Sequence, residues 1–534
     1  MEAMNSKGIV RTGERGLSHN VRLKRPFSLL WISFAMFFTS LLLLLLAGIQ
    51  RGYGEAWPHY ISLTLLMGLT TVLGIRFGSV SYRRGRLDLL ELPVWYSLWT
   101  LLGLTSFGFF GLLNRKYLHP AVGDMSWLPQ GLWLPILGLF GLWIGYKLGW
   151  VLPASVHSHS VPRRNKAWLE PNFVFVWLLY GIICIERLWR ISIMGVAYGA
   201  DITALGELSD LNQWFNYLEQ ASLLVIAIVA LQVFRGRWAK RSLWIMVGLE
   251  LFFIFLSGFM KQLLWLGLVL YGAMRYGRYR LRIRWSIIAA IIAIFAILVP
   301  IVEAYRPLIS AGVVNTRSLR SLISGLGQAL KLSWGQGIGN AFQMLTNKII
   351  CRQAVVAETW GIILHTTPNI IPYWGVDRLL MIPAYVVPRA LWPSKPMLSL
   401  GVDFNIRYLG APPTTNSSAA FTLFGDLYLS AGWSAVFVGM AIFGIIVALL
   451  YRHLVVQPLC HGRISLTALY IGTLVWIMDP GIGYVGAIVG SIQRFVFFGV
   501  LLYLFHLHLK KTKTIPNSSR GRGSHENLYR CSQC

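Results

Sequence analysis

Arg389 and Lys395 flank Trp392 in the run Pro388-Arg389-Ala390-Leu391-Trp392-Pro393-Ser394-Lys395-Pro396. The three prolines fix φ and disfavour helix at each preceding residue, so the run reads as a stiff, extended ribbon. It would hold two cations and an interfacial indole at a membrane surface, facing an anionic ligand. Other cations stand in comparable places: Arg306 in Glu303-Ala304-Tyr305-Arg306-Pro307, Arg407 in Asp403-Phe404-Asn405-Ile406-Arg407-Tyr408, and Lys261 in Ser257-Gly258-Phe259-Met260-Lys261. Guanidinium forks suit a bidentate grip on phosphate, and a pyrophosphate takes several. The plainer role of any one such Arg is to anchor to lipid headgroups; the proline frame sets Arg389 apart.

Groups that could move a proton are sparse. They are His365, Asp403, and Asp426 in Phe424-Gly425-Asp426-Leu427-Tyr428, with Glu358 a weaker option. Each is a residue type that more often serves as a hydrogen-bonding or surface group than as a base. Glu186, Arg187 and Arg190 lie near the end of an apolar block, where an internal ion pair explains them. There is no G-x-x-x-x-G-K, H-E-x-x-H, G-x-S-x-G or D-x-D pattern, which argues against ATP hydrolysis, metalloprotease work and carboxylate-held metal. Cys531 and Cys534 form a lone C-x-x-C in a polar tail and read as tail rather than as a zinc site.

The elements that position these residues are apolar blocks. The 534 residues are 55% hydrophobic and 13% charged, with a mean hydropathy of +0.58. That balance belongs to a polytopic, all-α membrane protein. The net charge of +28 would suggest nucleic acid in a soluble protein, but Lys and Arg cluster in short links between blocks, as the positive-inside rule requires. Arg163, Arg164 and Lys166 precede one block, Arg235 to Arg241 another, and Arg275 to Arg284 a third. The pattern predicts about twelve spans with both termini cytoplasmic. Residues 1–26 form a basic tail, 27–302 carry nine helices, 303–430 form a long extracytoplasmic loop, 431–509 carry three more helices, and 510–534 are a second basic tail.

Two features stand out. Leu243 to Leu256 and Gln262 to Met274 are each too short to cross a bilayer upright and read as a hairpin within 243–274, the alternative being one bent helix. In the long loop, Leu319, Leu322, Ile323, Leu326 and Leu330 recur at helical spacing, as do Phe342, Leu345, Ile349, Val356 and Trp360. Both stripes predict amphipathic helices lying on or packing under the outer leaflet.

The proline ribbon resembles the P-R-x-x-W-P-x-K-P element of bacterial O-antigen and related oligosaccharide repeat-unit polymerases. Phe424-Gly425-Asp426-Leu427-Tyr428-Leu429-Ser430-Ala431-Gly432-Trp433 is similar to that family's G-[ED]-x-Y-x-x-x-G run. Ser257 to Lys261 resembles its S-G-x-R hairpin, with one extra residue and Lys in place of Arg. The resemblance implies an inner-membrane glycosyltransferase that joins undecaprenyl-pyrophosphate-linked oligosaccharides into surface polysaccharide, without metal or cofactor. Arg389, Arg306, His365 and Asp426 are then the expected catalytic residues; Lys395, Arg407, Lys261, Trp392 and Asp403 would bind substrate. The expected partners are membrane lipids, the lipid-linked glycans, a chain-length regulator and a flippase, and no nucleic acid. A glycan ligase or another lipid-linked glycosyltransferase would need nearly the same residues. A transporter would need a mid-membrane binding site instead.

Overall fold

The computed structural model describes residues 56–83, 87–103, 128–152, 172–195, 209–277, 285–335, 355–388, 391–395, 400–413 and 419–512, apart from scattered positions within these ranges. Every regular element among them is helical. The principal helices are α1 (Ala56–Gly78), α2 (Trp133–Val151), α3 (Phe173–Met194), α4 (Ser209–Phe234), α5 (Lys240–Ser257), α6 (Lys261–Tyr276) and α7 (Trp285–Ser310). They continue with α8 (Leu319–Gly335), α9 (355–366), α10 (Leu400–Leu409), α11 (Thr422–Tyr451), α12 (Ile464–Ile477) and α13 (Tyr484–Thr512). Within the described residues, five helical stretches are long and apolar enough to cross a membrane: 61–78, 133–151, 214–234, 422–459 and 484–504. The apolar block at 27–49, residues 104–113 at the end of another, Arg389 and the Phe342, Leu345 and Ile349 part of the second stripe lie outside the described residues.

Small residues decide which helices touch. Gly141, Gly145 and Gly149 recur on one side of α2, and α11 lies directly on them in the most extensive helix pairing of the fold. A Cβ at Gly145 would stand 1.8 Å from the Ala441 carbonyl oxygen, and one at Gly444 2.3 Å from that of Leu142. Between helices in lipid, such close backbone approach supplies the packing energy that water exclusion cannot. Helix α4 is the central pillar: Ala221 to Leu231 is buried except for the half-buried Leu223, against α3, α5, α6 and α12.

Buried charge ties α3, α4 and α5 together. Arg187 on α3 makes a two-pronged pair with Glu250 on α5, at 2.8 and 2.9 Å. Ser222 on α4 donates to the same carboxylate at 3.0 Å. Arg190 reaches Glu219 on α4 and, at 3.3 Å, Glu186. The expected internal Glu–Arg pair is therefore one part of a network of five charged residues and Ser222. Elsewhere, Asp88 accepts from Tyr276 at 2.8 Å and Tyr451 at 2.9 Å, fixing α6 against α11.

Helices α5 and α6 are separate elements broken at Gly258, whose left-handed conformation (φ 67) ends α5. At 18 and 16 residues they are longer than their apolar cores, because polar end residues join the helical turns.

The boundaries of the long segment differ from the sequence expectation. Helix α7 does not stop at Val302 but runs on to Ser310, supported by the Glu303–Arg306 pair one turn apart at 3.0 Å. Helix α11 begins at Thr422, not near residue 431, because its first two turns are buried. The expected start is instead a break inside α11, at Ala431 and Gly432 (φ 72). Helix α9 is no surface element either: Val356 to Ile363 is buried, and Trp360 packs on Gly131 and donates to Thr422 at 3.0 Å. Its apolar residues cover all sides rather than one stripe.

Candidate functional site

Between α9 and the ribbon, the chain crosses the break in α11. The Trp374 amide donates to the Leu429 carbonyl at 2.7 Å, which satisfies an acceptor freed where α11 breaks. Tyr373 sits against Gly432; a Cβ there would be 2.8 Å from its hydroxyl. That contact and the positive φ both require glycine.

The Trp374 indole carries two guanidinium groups. Arg378, on the short helix Asp377–Leu380, lies 4.6 Å from the ring centroid, and Arg407, on α10, lies 5.6 Å from it. Such contacts each contribute roughly 0.5–2 kcal/mol and hold two like charges near one another. Tyr408 closes the far side: it stacks on Phe404 at 4.6 Å, meets Trp374 edge-on at 6.2 Å, and shares a 2.6 Å hydrogen bond with Thr367. Burial pushes its phenol above the ordinary value.

Asp426 anchors Arg378. Its Oδ1 takes Arg378 Nη2 at 2.5 Å, and its Oδ2 takes the Val485 amide at 3.1 Å. The carboxylate is 0% exposed and both its oxygens are engaged, so it orients an arginine. Arg378 Nε and Nη1 have no hydrogen-bond partner among the described residues. Buried N–H donors of a guanidinium are costly to leave unmade.

The other expected residues divide between framework and neighbourhood. Lys395 is nearly buried and donates to the Tyr385 and Val387 carbonyls, both at 2.8 Å, while Gln493 of α13 donates to Tyr385 and Val386 at 3.1 and 2.9 Å. These two side chains staple the start of the ribbon to the bundle. Trp392 donates to Ser394 at 3.1 Å. Asp403 lies one turn before Arg407 on α10, and His365 is exposed at the end of α9, two residues before Thr367. Arg306 gives Nε and Nη2 to the Gly258 carbonyl, at 3.2 and 2.9 Å, and Lys261 pairs with Asp479. Both hold the turn between α5 and α6 in place.

Sequence reasoning missed Arg378 and Trp374. The only signal was an arginine four residues after a tryptophan in an irregular stretch, and nothing local distinguishes that from an interfacial anchor. The model of one family, described as a domain of unknown function (DUF8712), matches residues 186–455, which run from within α3 through α11 and include Trp374, Arg378, Arg407 and Asp426. No curated protein and no solved structure matches the chain.

Proposed function

The chain belongs to the DUF8712 family, and for it we propose a membrane-embedded glycosyltransferase that polymerises undecaprenyl-pyrophosphate-linked oligosaccharide repeat units. The observation that carries this reading is the Arg378–Trp374–Arg407 arrangement, in which two guanidinium groups meet one indole, with two Arg378 donors unpartnered among the described residues. In the proposed step, an acceptor sugar hydroxyl attacks the anomeric carbon of the donor glycan. The bond to pyrophosphate breaks, and its electron pair leaves with the phosphate. Arg378 and Arg407 bind that growing negative charge more strongly than they bind the ground state. His365 is assigned the hydroxyl proton, since Asp426 is committed to Arg378.

The proposed placement is the outer face of a bacterial inner membrane, in a bundle of about twelve spans. The ends of α3, α5 and α7 supply residues to one small core with α8: Ile191, Leu256 and Ile309 all lie in it. In the sequence, each of these helices starts from a basic cluster, so the shared end supports an extracytoplasmic site.

The test is surface-glycan chain length at matched expression. Arg407→Ala and Arg378→Lys are expected to shorten the glycan toward single repeats, with a rate loss of about a hundredfold. In a deletion strain, long lipid-linked chains accumulating beside an undecorated acceptor would mark a ligase instead. Loss of all surface glycan would mark a transporter, and wild-type chain length from Arg407→Ala would remove this site from the reaction.

A further inference from the structure

Helix α8 has two apolar sides, and only one of them is used inside the protein. Leu322, Gly325, Ala329 and Ser333 are buried, against Tyr305, Ile309 and Val314. The small residues allow the close approach: a Cβ at Gly325 would be 2.4 Å from a Val314 methyl. Leu319, Ile323, Leu330 and Trp334 face outward, with Ile323 49% and Trp334 74% exposed. At about 100° per residue, this second stripe lies roughly a quarter turn from the packed side. Arg320 and Lys331, both exposed, run along its far edge, and Ser324 and Gln328 lie beyond them.

The position of α8 says what covers that stripe. It packs on α7 beyond Val302, where Glu303 and Arg306 end the apolar run, and on Phe253 and Leu256 at the last turns of α5. Thr316, just before α8, touches Gly195 at the end of α3. Three helices thus reach the edge of the apolar layer where α8 crosses them.

From this we infer that α8 lies in the plane of one bilayer interface. The Leu319–Ile323–Leu330–Trp334 stripe enters the acyl chains, and Arg320 and Lys331 meet anionic headgroups. An apolar strip bordered by cations, with a tryptophan at its end, matches that boundary. The inference rests on the chain being membrane-embedded and is independent of the proposed glycosyl transfer.

The wild-type protein, reconstituted in phosphatidylcholine–phosphatidylglycerol vesicles, tests it with photoactivatable lipids that carry a diazirine either near the ester or at the chain end. Insertion sites are read by mass spectrometry. The expected result is labelling of Leu319, Ile323, Leu330 and Trp334 by the shallow probe in preference to the deep one, with Ser324 and Gln328 unlabelled. Residues 319 and 334 are about 22 Å apart along the axis, so equal preference at both ends requires a helix lying flat. An unlabelled stripe beside labelled Leu65 and Leu69 of α1 would mean that water or protein covers it, and would overturn the inference. So would opposite depth preferences at the two ends. If α1 were also unlabelled, the membrane reading itself would fall.

Discussion

The Asp426 carboxylate holds the Arg378 guanidinium at 2.5 Å across 48 residues of sequence, with the aspartate 0% exposed. The pair joins the segment that crosses α11 to α11 itself, and the Val485 amide fastens the same carboxylate to α13. The cation proposed to bind substrate is thus oriented by two of the most apolar helices of the fold.

Removing Asp426 should harm folding more than the removal of an exposed charge would. Asp426→Ala leaves the half-buried Arg378 without its partner; breaking a fully buried pair typically costs about 3–5 kcal/mol, so the loss should approach the lower end of that range. Asp426→Leu combined with Arg378→Met should restore much of the loss in stability without restoring activity. Thermal unfolding in detergent micelles, beside the glycan assay, separates the two effects. Equal stability of Asp426→Ala and wild type would show that the pair does not anchor the segment.

The same logic applies to Arg187 and Glu250, at 2.8 Å on α3 and α5. Glu250→Ala should lower stability by about 3–5 kcal/mol, whereas joint replacement by Met and Leu should be close to neutral. A double-mutant cycle measures the coupling. Additive losses would contradict a direct interaction.

Gly145 should be the least replaceable glycine of α2. An alanine there would put a methyl 1.8 Å from a backbone oxygen, and α2 and α11 would have to separate at a cost of about 3 kcal/mol. Gly248, on α5, has nothing within 4 Å of the added methyl, and Gly248→Ala should be neutral or stabilise by up to about 1 kcal/mol. Melting temperatures of the two variants compare the sites directly. A tolerant Gly145 would mean that the helices sit farther apart.

The site is expected to be accessible from outside the cell. Ser324 is exposed on the polar side of α8, so Ser324→Cys should react with an impermeant maleimide in intact spheroplasts above the background of the native cysteines. Reaction only after lysis would invert the topology and place the site in the cytoplasm.

How far the sequence could be read shows best in α8. The spacing of Leu319, Leu322, Ile323, Leu326 and Leu330 announced a helix, and the structure has one at Leu319–Gly335. It could not say which side packs, because that stripe splits: Leu322 turns inward while Ile323 and Leu330 turn out. Helical content and the apolar blocks were legible because backbone groups in lipid must bond within their own segment. Asp426 stood out in the sequence as an acidic residue in an apolar run, but its surroundings depend on an arginine 48 positions away and an amide 59 positions away. No local pattern encodes either partner. In lipid, hydrophobicity is nearly the same on packed and unpacked faces, so it does not separate core from surface as it does in water. The sequence by itself determined where helices run and where charge cannot follow them. Only the tertiary structure decided which faces meet, because that choice rests on the close approach of Gly145 to Ala441 and of Gly325 to Val314, and on buried partners brought together from distant segments.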